Sequence, residues 1–316
     1  MKKTIFLACL LFSLCVSLGA MDAVIQDGDY RIAVLYDAKA FPGDPYFVTL
    51  NLLNPKTQND VLEEASVILR KSESHKNLAK ASFIPLENSE KLLASFPLSS
   101  FLQPGDYMLY FEYRIKNHPK MKCTLGIVLQ EKVFPSETVY LNAQNTAIKN
   151  NYGSERMSQI TSIHTLFQTV KAKSYASSNF SCPTTTSRVT SEFAHRRYYE
   201  YSNGKKETNV HFGIDYGVPI GTDVFACEKG KVVLAEKRIS SGNSIVIEHL
   251  PGLYSVYYHL DSLAVKENQF VEHAEFLGKS GNTGLSTGPH LHWEVRLKGE
   301  AVNPLYFVDK FQRFVE

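Results

Sequence analysis

Histidines recur in this chain at spacings that suit a metal. His211 and Asp215 stand four apart in His-Phe-Gly-Ile-Asp, and His290 and His292 stand two apart in His-Leu-His. Between them lies Tyr257-Tyr258-His259-Leu260. Three nitrogen or oxygen donors with two further imidazoles are what a hydrolytic zinc site needs. Such a site uses three protein ligands and leaves the fourth position to water, whose pKa falls to about 7. A side chain within hydrogen-bond reach of that water then serves as general base.

The elements that must hold these groups follow from local pattern. His290-Leu-His-Trp-Glu-Val-Arg-Leu297 alternates and is rich in β-formers. In a strand, residues i and i+2 share a face. Both imidazoles should therefore point one way, with Leu291, Trp293 and Val295 turned to a core. His211 and Asp215 could align on a helix, but Gly213, Gly217 and Pro219 argue against one. An extended segment bent at Gly213 is expected instead.

The flanks of these motifs resemble the lysostaphin/LytM-type zinc peptidases of the M23 family. The resemblance runs from about Arg188 to Phe307. It takes in Val189-Thr-Ser-Glu-Phe193, His211-Phe-Gly-Ile-Asp215, Gly242-Asn-Ser-Ile-Val-Ile-Glu-His249 and Tyr257-Tyr-His-Leu260. It closes on Gly278-Lys-Ser-Gly-Asn-Thr-Gly-Leu-Ser-Thr-Gly-Pro-His-Leu-His-Trp-Glu294. The resemblance implies that His211, Asp215 and His292 are the Zn2+ ligands and that His259 and His290 are catalytic. It implies peptide bonds of bacterial peptidoglycan, in stem peptides or cross-links, as substrate. A tyrosine upstream of the first ligand also belongs to some members; Tyr198, Tyr199 and Tyr201 all fit that stretch. The chain departs from the family where glycines become Ala194, Asn268 and Ala274, which leaves the shape of those turns open. His195 is a candidate for the cleft. His249 ends an alternating strand and is expected to be partly exposed. His75, His118, His164 and His273 lack partners at ligand spacing.

Residues 1–20 read as a secretory signal: Lys2 and Lys3, an apolar run from Ile5 to Leu18, and small residues ending at Ala20. The run is too short to span a membrane. Export to the periplasm or cell envelope is expected, with a lipid anchor on Cys15 as an alternative. Loss of this segment removes two lysines and no acid, so the formal charge falls from +2 to zero. No basic run suits nucleic acid. Cys123, Cys182 and Cys227 remain, too few and too scattered for a disulfide framework; a Cys182–Cys227 bridge is the one pairing considered.

A mainly β protein is expected, with an N-terminal β-sandwich over residues 21–141, for which an immunoglobulin-like arrangement is one form. Strands are read at Tyr30–Tyr36, Tyr46–Leu53, Ser66–Arg70, Leu92–Leu98, Asp106–Ile115 and Leu125–Phe134, punctuated by Pro/Gly/Asn turns. Residues 142–187 read as a helical linker. Met157, Ile160, Ile163, Phe167 and Val170 recur at helical spacing behind an N-cap at Ser154, followed by a Ser/Thr-rich stretch. Residues 188–316 form the expected antiparallel-β catalytic domain, and a fragment from about Ser178 should fold and act alone. The functional expectation is an exported zinc endopeptidase acting on peptidoglycan. The alternative is a non-catalytic or self-inhibited protein that activates another cell-wall hydrolase, which brings in a regulatory protein partner.

Overall fold

The computed structural model describes residues 21–87, 89–170, 175–185 and 188–316. The segment read as a secretory signal, including Cys15, lies outside the described residues. No described helix is long and apolar enough to cross a membrane. The chain divides into two compact units.

The first unit, within 131 residues of the N-terminus, is built from two five-stranded sheets. One runs Met21–Asp27, Tyr30–Tyr36, Pro45–Leu52, Leu92–Pro97, Ile84–Pro85; the other Lys39–Ala40, Met121–Leu129, Gly105–Ile115, Leu62–Lys71, Ala79–Ser82. Tyr107, Leu109, Phe111, Tyr113 and Ile115 alternate along one strand and are all buried. They share one core with Ile32, Val34, Val48, Leu50 and Phe96 of the opposite sheet. The period-two pattern thus fixes which face of each strand is inward, and the sandwich expected for this half is present.

The second unit gathers Lys132–Glu316 with the short stretches Gly43–Pro45 and Ser99–Phe101. Its main sheet is ordered Val189–Ser191, Ile214–Tyr216, Leu291–Leu297, Leu253–Leu260, Gly242–Leu250, Gly230–Arg238, Phe270–Val271, with Glu300–Val302 beside Leu291–Leu297. Leu291, Trp293 and Val295 are fully buried, as the alternation requires. A separate three-stranded sheet pairs Ser136–Leu141 in parallel with Arg196–Tyr201, which pairs antiparallel with Lys206–Val210.

The stretch read as a linker belongs to this unit. A helix spans Ser154–Gln168, begun by Gly153 rather than by a Ser154 cap. Its Ile163 and Phe167 pack on Leu234, Val246, Tyr254 and Val256, while Met157 and Val170, expected in the core, are exposed. A second helix, Ala143–Lys149, is capped by Asn142, whose Oδ1 accepts from the Asn145 amide at 2.8 Å. The Ser/Thr-rich segment is anchored too. The amides of Tyr175 and Ala176 donate to His249 O, and that of Phe180 to Phe307 O. The Phe180 ring stacks on Phe307 with centroids 5.0 Å apart. Composition reads such a segment as polar and loose; one aromatic and its backbone hydrogen bonds decide otherwise. Cys123, Cys182 and Cys227 are free thiols, so the bridge considered does not form.

Candidate metal centre

Strand register brings the key groups into one row. Asp215 pairs across from His292, and His292 across from Tyr258. Directly opposed residues on neighbouring strands point to the same face. His211 enters from the turn before Ile214. Its amide donates to His195 O, and the Ala194 amide donates to His211 O. Gly213 is required between His211 and the strand: a Cβ there would lie 2.3 Å from Trp293 O and 2.8 Å from Glu294 Cγ.

The three side chains converge. Asp215 Oδ1 lies 2.7 Å from His292 Nδ1 and 3.0 Å from His211 Nε2, and the two ring nitrogens are 3.0 Å apart. Among the described residues, these three form the group of His, Cys, Asp or Glu side chains able to hold a metal ion. Tetrahedral donors at bonds of ~2.0 Å are separated by about 3.3 Å, so an ion needs only a few tenths of an ångström of spreading. The far ring nitrogens are already committed. His211 Nδ1 donates to Glu192 O at 2.8 Å, and His292 Nε2 to Glu294 Oε1 at 2.8 Å. The near nitrogens and the carboxylate oxygen therefore converge on a point that calls for positive charge, which a shared proton or a metal ion can supply. The titration behaviour agrees. Burial opposes charge on His292, but Asp215 and Glu294 outweigh it and push its pKa up to about 9. Asp215, despite burial, is held well below the usual carboxylate range by His211 and His292.

The other two histidines flank this group. His290 Nδ1 donates to Gly288 O at 2.8 Å, leaving Nε2 aimed inward, 3.6 Å from Asp215 Oδ1. Burial holds its pKa below the ordinary histidine value. His259 sits beside it, ring centroids 4.8 Å apart. Tyr258 and His259 face the single residue Ser244, because Asn243 pairs with Leu260 and Ile245 with Tyr257. This bulge re-aims side chains. Tyr258 stacks on the His292 ring at 5.7 Å and 7°, and the next residue still reaches the site. His259 has a φ of 62°, a left-handed conformation that costs a non-glycine residue about 1–3 kcal/mol and concentrates at functional sites. The His259 amide donates to Ser241 O, and Nδ1 donates to Thr283 O at 2.7 Å. Burial first, then His290 and His292, bring its pKa down to about 3.

Residues 209–304 match the profile of Peptidase family M23. That stretch of the chain is similar to the M23 peptidases. ShyA of Vibrio cholerae, a peptidoglycan DD-endopeptidase, is 38% identical over 118 residues, 37% of this chain and 27% of its own. Mpg of Neisseria meningitidis, a DD-carboxypeptidase/endopeptidase, is 36% identical over 123 residues, 39% of this chain and 27% of its own. The match thus spans under a third of these relatives. A solved Pseudomonas aeruginosa chain, a candidate M23 peptidase, shares the fold at a TM-score of 0.52 and 19% identity, over 85% of this chain and 95% of that one.

The turns read from sequence as departures from the family's glycines adopt the left-handed backbone that a glycine favours. Ala194, Asn268 and Ala274 have φ of 64°, 71° and 60°. Alanine pays roughly 1–2 kcal/mol for that backbone. The upstream tyrosines go to different places. Tyr201 is buried and donates to Glu207 at 2.6 Å, Tyr199 lies under the Lys149 ammonium at 4.2 Å, and Tyr198 is half-exposed. His195 Nδ1 lies 3.2 Å from Ser191 Oγ. His249 is fully buried, contrary to the exposure expected at a strand end. Its Nδ1 donates to Lys229 O at 2.9 Å, its Nε2 lies 2.8 Å from Ser255 Oγ, and burial brings its pKa down to about 4.

Sequence reasoning missed the groups behind the three converging side chains. Glu294 accepts from His292 and from Arg296 Nε at 2.6 Å. Burial works against its charge, but Arg296 and His292 bring its pKa down to about 2. Arg296 lies over the Phe212 ring at 4.6 Å and the Phe167 ring at 5.3 Å. The i, i+2 and i+4 spacing of His292, Glu294 and Arg296 on one strand was the available signal. Arg197 Nη2 donates to Asp215 Oδ2 at 2.7 Å.

Proposed function

We propose that this protein is an exported, zinc-dependent endopeptidase that hydrolyses peptide cross-links of bacterial peptidoglycan. The observation that carries this reading is the set of three converging ligand atoms with two neutral histidines beside it. The named activities of ShyA and Mpg support the substrate class. His211, Asp215 and His292 would hold the zinc, which when bound polarises a carbonyl and lowers the pKa of water. His290 acts as general base, because its Nδ1 hydrogen bond leaves Nε2 as an acceptor facing the site. His259 is fixed in the same sense by Thr283. In its neutral form it too offers an acceptor, so stabilising an oxyanion would require that it first gain a proton. The proton taken from water by one of these rings passes to the leaving amine. Tyr258 and the Glu294 carboxylate hold the His292 ring in place. Intact ligands and both catalytic histidines favour an enzyme over a non-catalytic activator, which has no use for a neutral base.

His290→Ala should keep one zinc per chain and lose turnover by roughly 10²–10⁴-fold, the usual contribution of a positioned acid or base. Zinc content by elemental analysis and release of peptide ends from purified peptidoglycan check this together. A near-wild-type rate with zinc bound would move the base elsewhere, with His259 next.

A further inference from the structure

Glu137 lies outside the residues that match the family profile. It sits on the strand Ser136–Leu141, directly opposite Arg197 in the parallel ladder. Its Oε1 accepts from Arg197 Nε at 2.6 Å and from Ser191 Oγ at 2.9 Å. Each of those partners leads to a different ligand. Arg197 Nη2 donates to Asp215 Oδ2 at 2.7 Å and to Ser191 Oγ at 2.9 Å. Ser191 Oγ lies 3.2 Å from His211 Nδ1.

The charges alternate along this path: Glu137 negative, Arg197 positive, Asp215 negative. The guanidinium fork binds one carboxylate through Nε and the other through Nη2, geometry that a lysine ammonium does not reproduce. Holding Asp215 Oδ2 in this way reserves Oδ1 alone for the three-atom group. Without Glu137, Arg197 keeps Asp215 but loses the anchor that fixes its plane, and Ser191 loses the acceptor that fixes its hydroxyl.

We infer that Glu137 is a positioning residue for the metal site, acting on Asp215 through Arg197 and on His211 through Ser191. The inference rests on the ligand assignment proposed above. Partners behind metal ligands commonly govern metal affinity by 10–100-fold.

The test uses the full chain, with Zn2+ and Co2+ as probes. Glu137→Gln should weaken Zn2+ binding by about tenfold in competition with a chelator. It should also alter the visible absorption of the Co2+-loaded protein, which reports the ligand geometry. The cost should shrink when the same change is made on Arg197→Met, because coupled residues are not additive. Arg197→Lys should recover only part of what Arg197→Met loses. A purely structural role would lower the melting temperature of the metal-free protein and leave the Co2+ spectrum alone. Should Glu137→Gln fail to fold, Ser191→Ala removes only a hydroxyl and should weaken Zn2+ binding with the fold kept; unchanged binding there overturns the inference. Wild-type affinity and spectrum in Glu137→Gln, or an equal cost in both backgrounds, overturn it as well. These readouts need no peptidoglycan. A wild-type protein that binds no zinc removes the functional reading itself, whereas a zinc-loaded wild type with an indifferent Glu137→Gln removes this inference alone.

Discussion

Asp215→Ala should leave the purified protein without zinc and without measurable hydrolysis. The substitution removes the only anionic member of the ligand set and leaves two imidazoles, fewer than the three protein ligands a catalytic zinc site keeps. It also exposes the remaining lone pairs of His211 and His292 to each other at 3.0 Å with no carboxylate between them. The fold should survive, because Arg197 retains Glu137 as an ion-pair partner at 2.6 Å and so is not left as an unpaired buried charge. Elemental analysis after gel filtration, with circular dichroism on the same sample, checks both statements. Full zinc occupancy in a folded Asp215→Ala protein would sink the ligand assignment.

A fragment beginning at Ser178 should fail to fold, against the expectation formed from the family resemblance and the Ser/Thr-rich stretch. It lacks the strand Ser136–Leu141, and with it Glu137 and the parallel edge of Arg196–Tyr201. It lacks the helix Ala143–Lys149, whose Asn145 side chain donates to Ser286 O at 2.8 Å, beside the loop that ends in His290. It also lacks the helix Ser154–Gln168. Ile163 and Phe167 bury about 1.5–3 kcal/mol each against the sheet, where a whole domain keeps only about 5–15 kcal/mol. Uncovering Leu234, Val246, Tyr254 and Val256 also creates an exposed apolar face. A fragment beginning at Lys132 keeps all of these and should unfold cooperatively. Thermal melts of the two fragments decide the matter; matching transitions would show that the upstream elements are dispensable.

The convergence of His211, Asp215 and His292 was legible because each motif encodes its own geometry. His290 and His292 lie on one strand, Asp215 follows a glycine that only close packing explains, and strand alternation predicted the buried Leu291, Trp293 and Val295. The sandwich was legible for the same reason, through runs such as Tyr107 to Ile115. What escaped depends on contacts between distant segments. Arg197 reads as one charge in a tyrosine-rich strand until the fold sets it against Asp215. Glu137 carries no local signal at all, since its function comes from a parallel pairing 60 residues away. The helix at Ser154–Gln168 was visible in its periodicity, but periodicity does not say which sheet receives Phe167 or that Met157 stays outside. His249 was misplaced because a histidine at a strand end looks solvated, and only the backbone of Lys229 and the hydroxyl of Ser255 make its burial possible.

The central claim is that this site cuts peptide bonds in peptidoglycan with a bound metal. Its most direct test is mass spectrometry of purified peptidoglycan digested with the zinc-loaded full chain, with the Asp215→Ala protein as control. New free amine and carboxyl ends at the cross-links, absent from the control, are the predicted result. Intact cross-links after digestion by the zinc-loaded protein, or the same products from the Asp215→Ala protein, would contradict it.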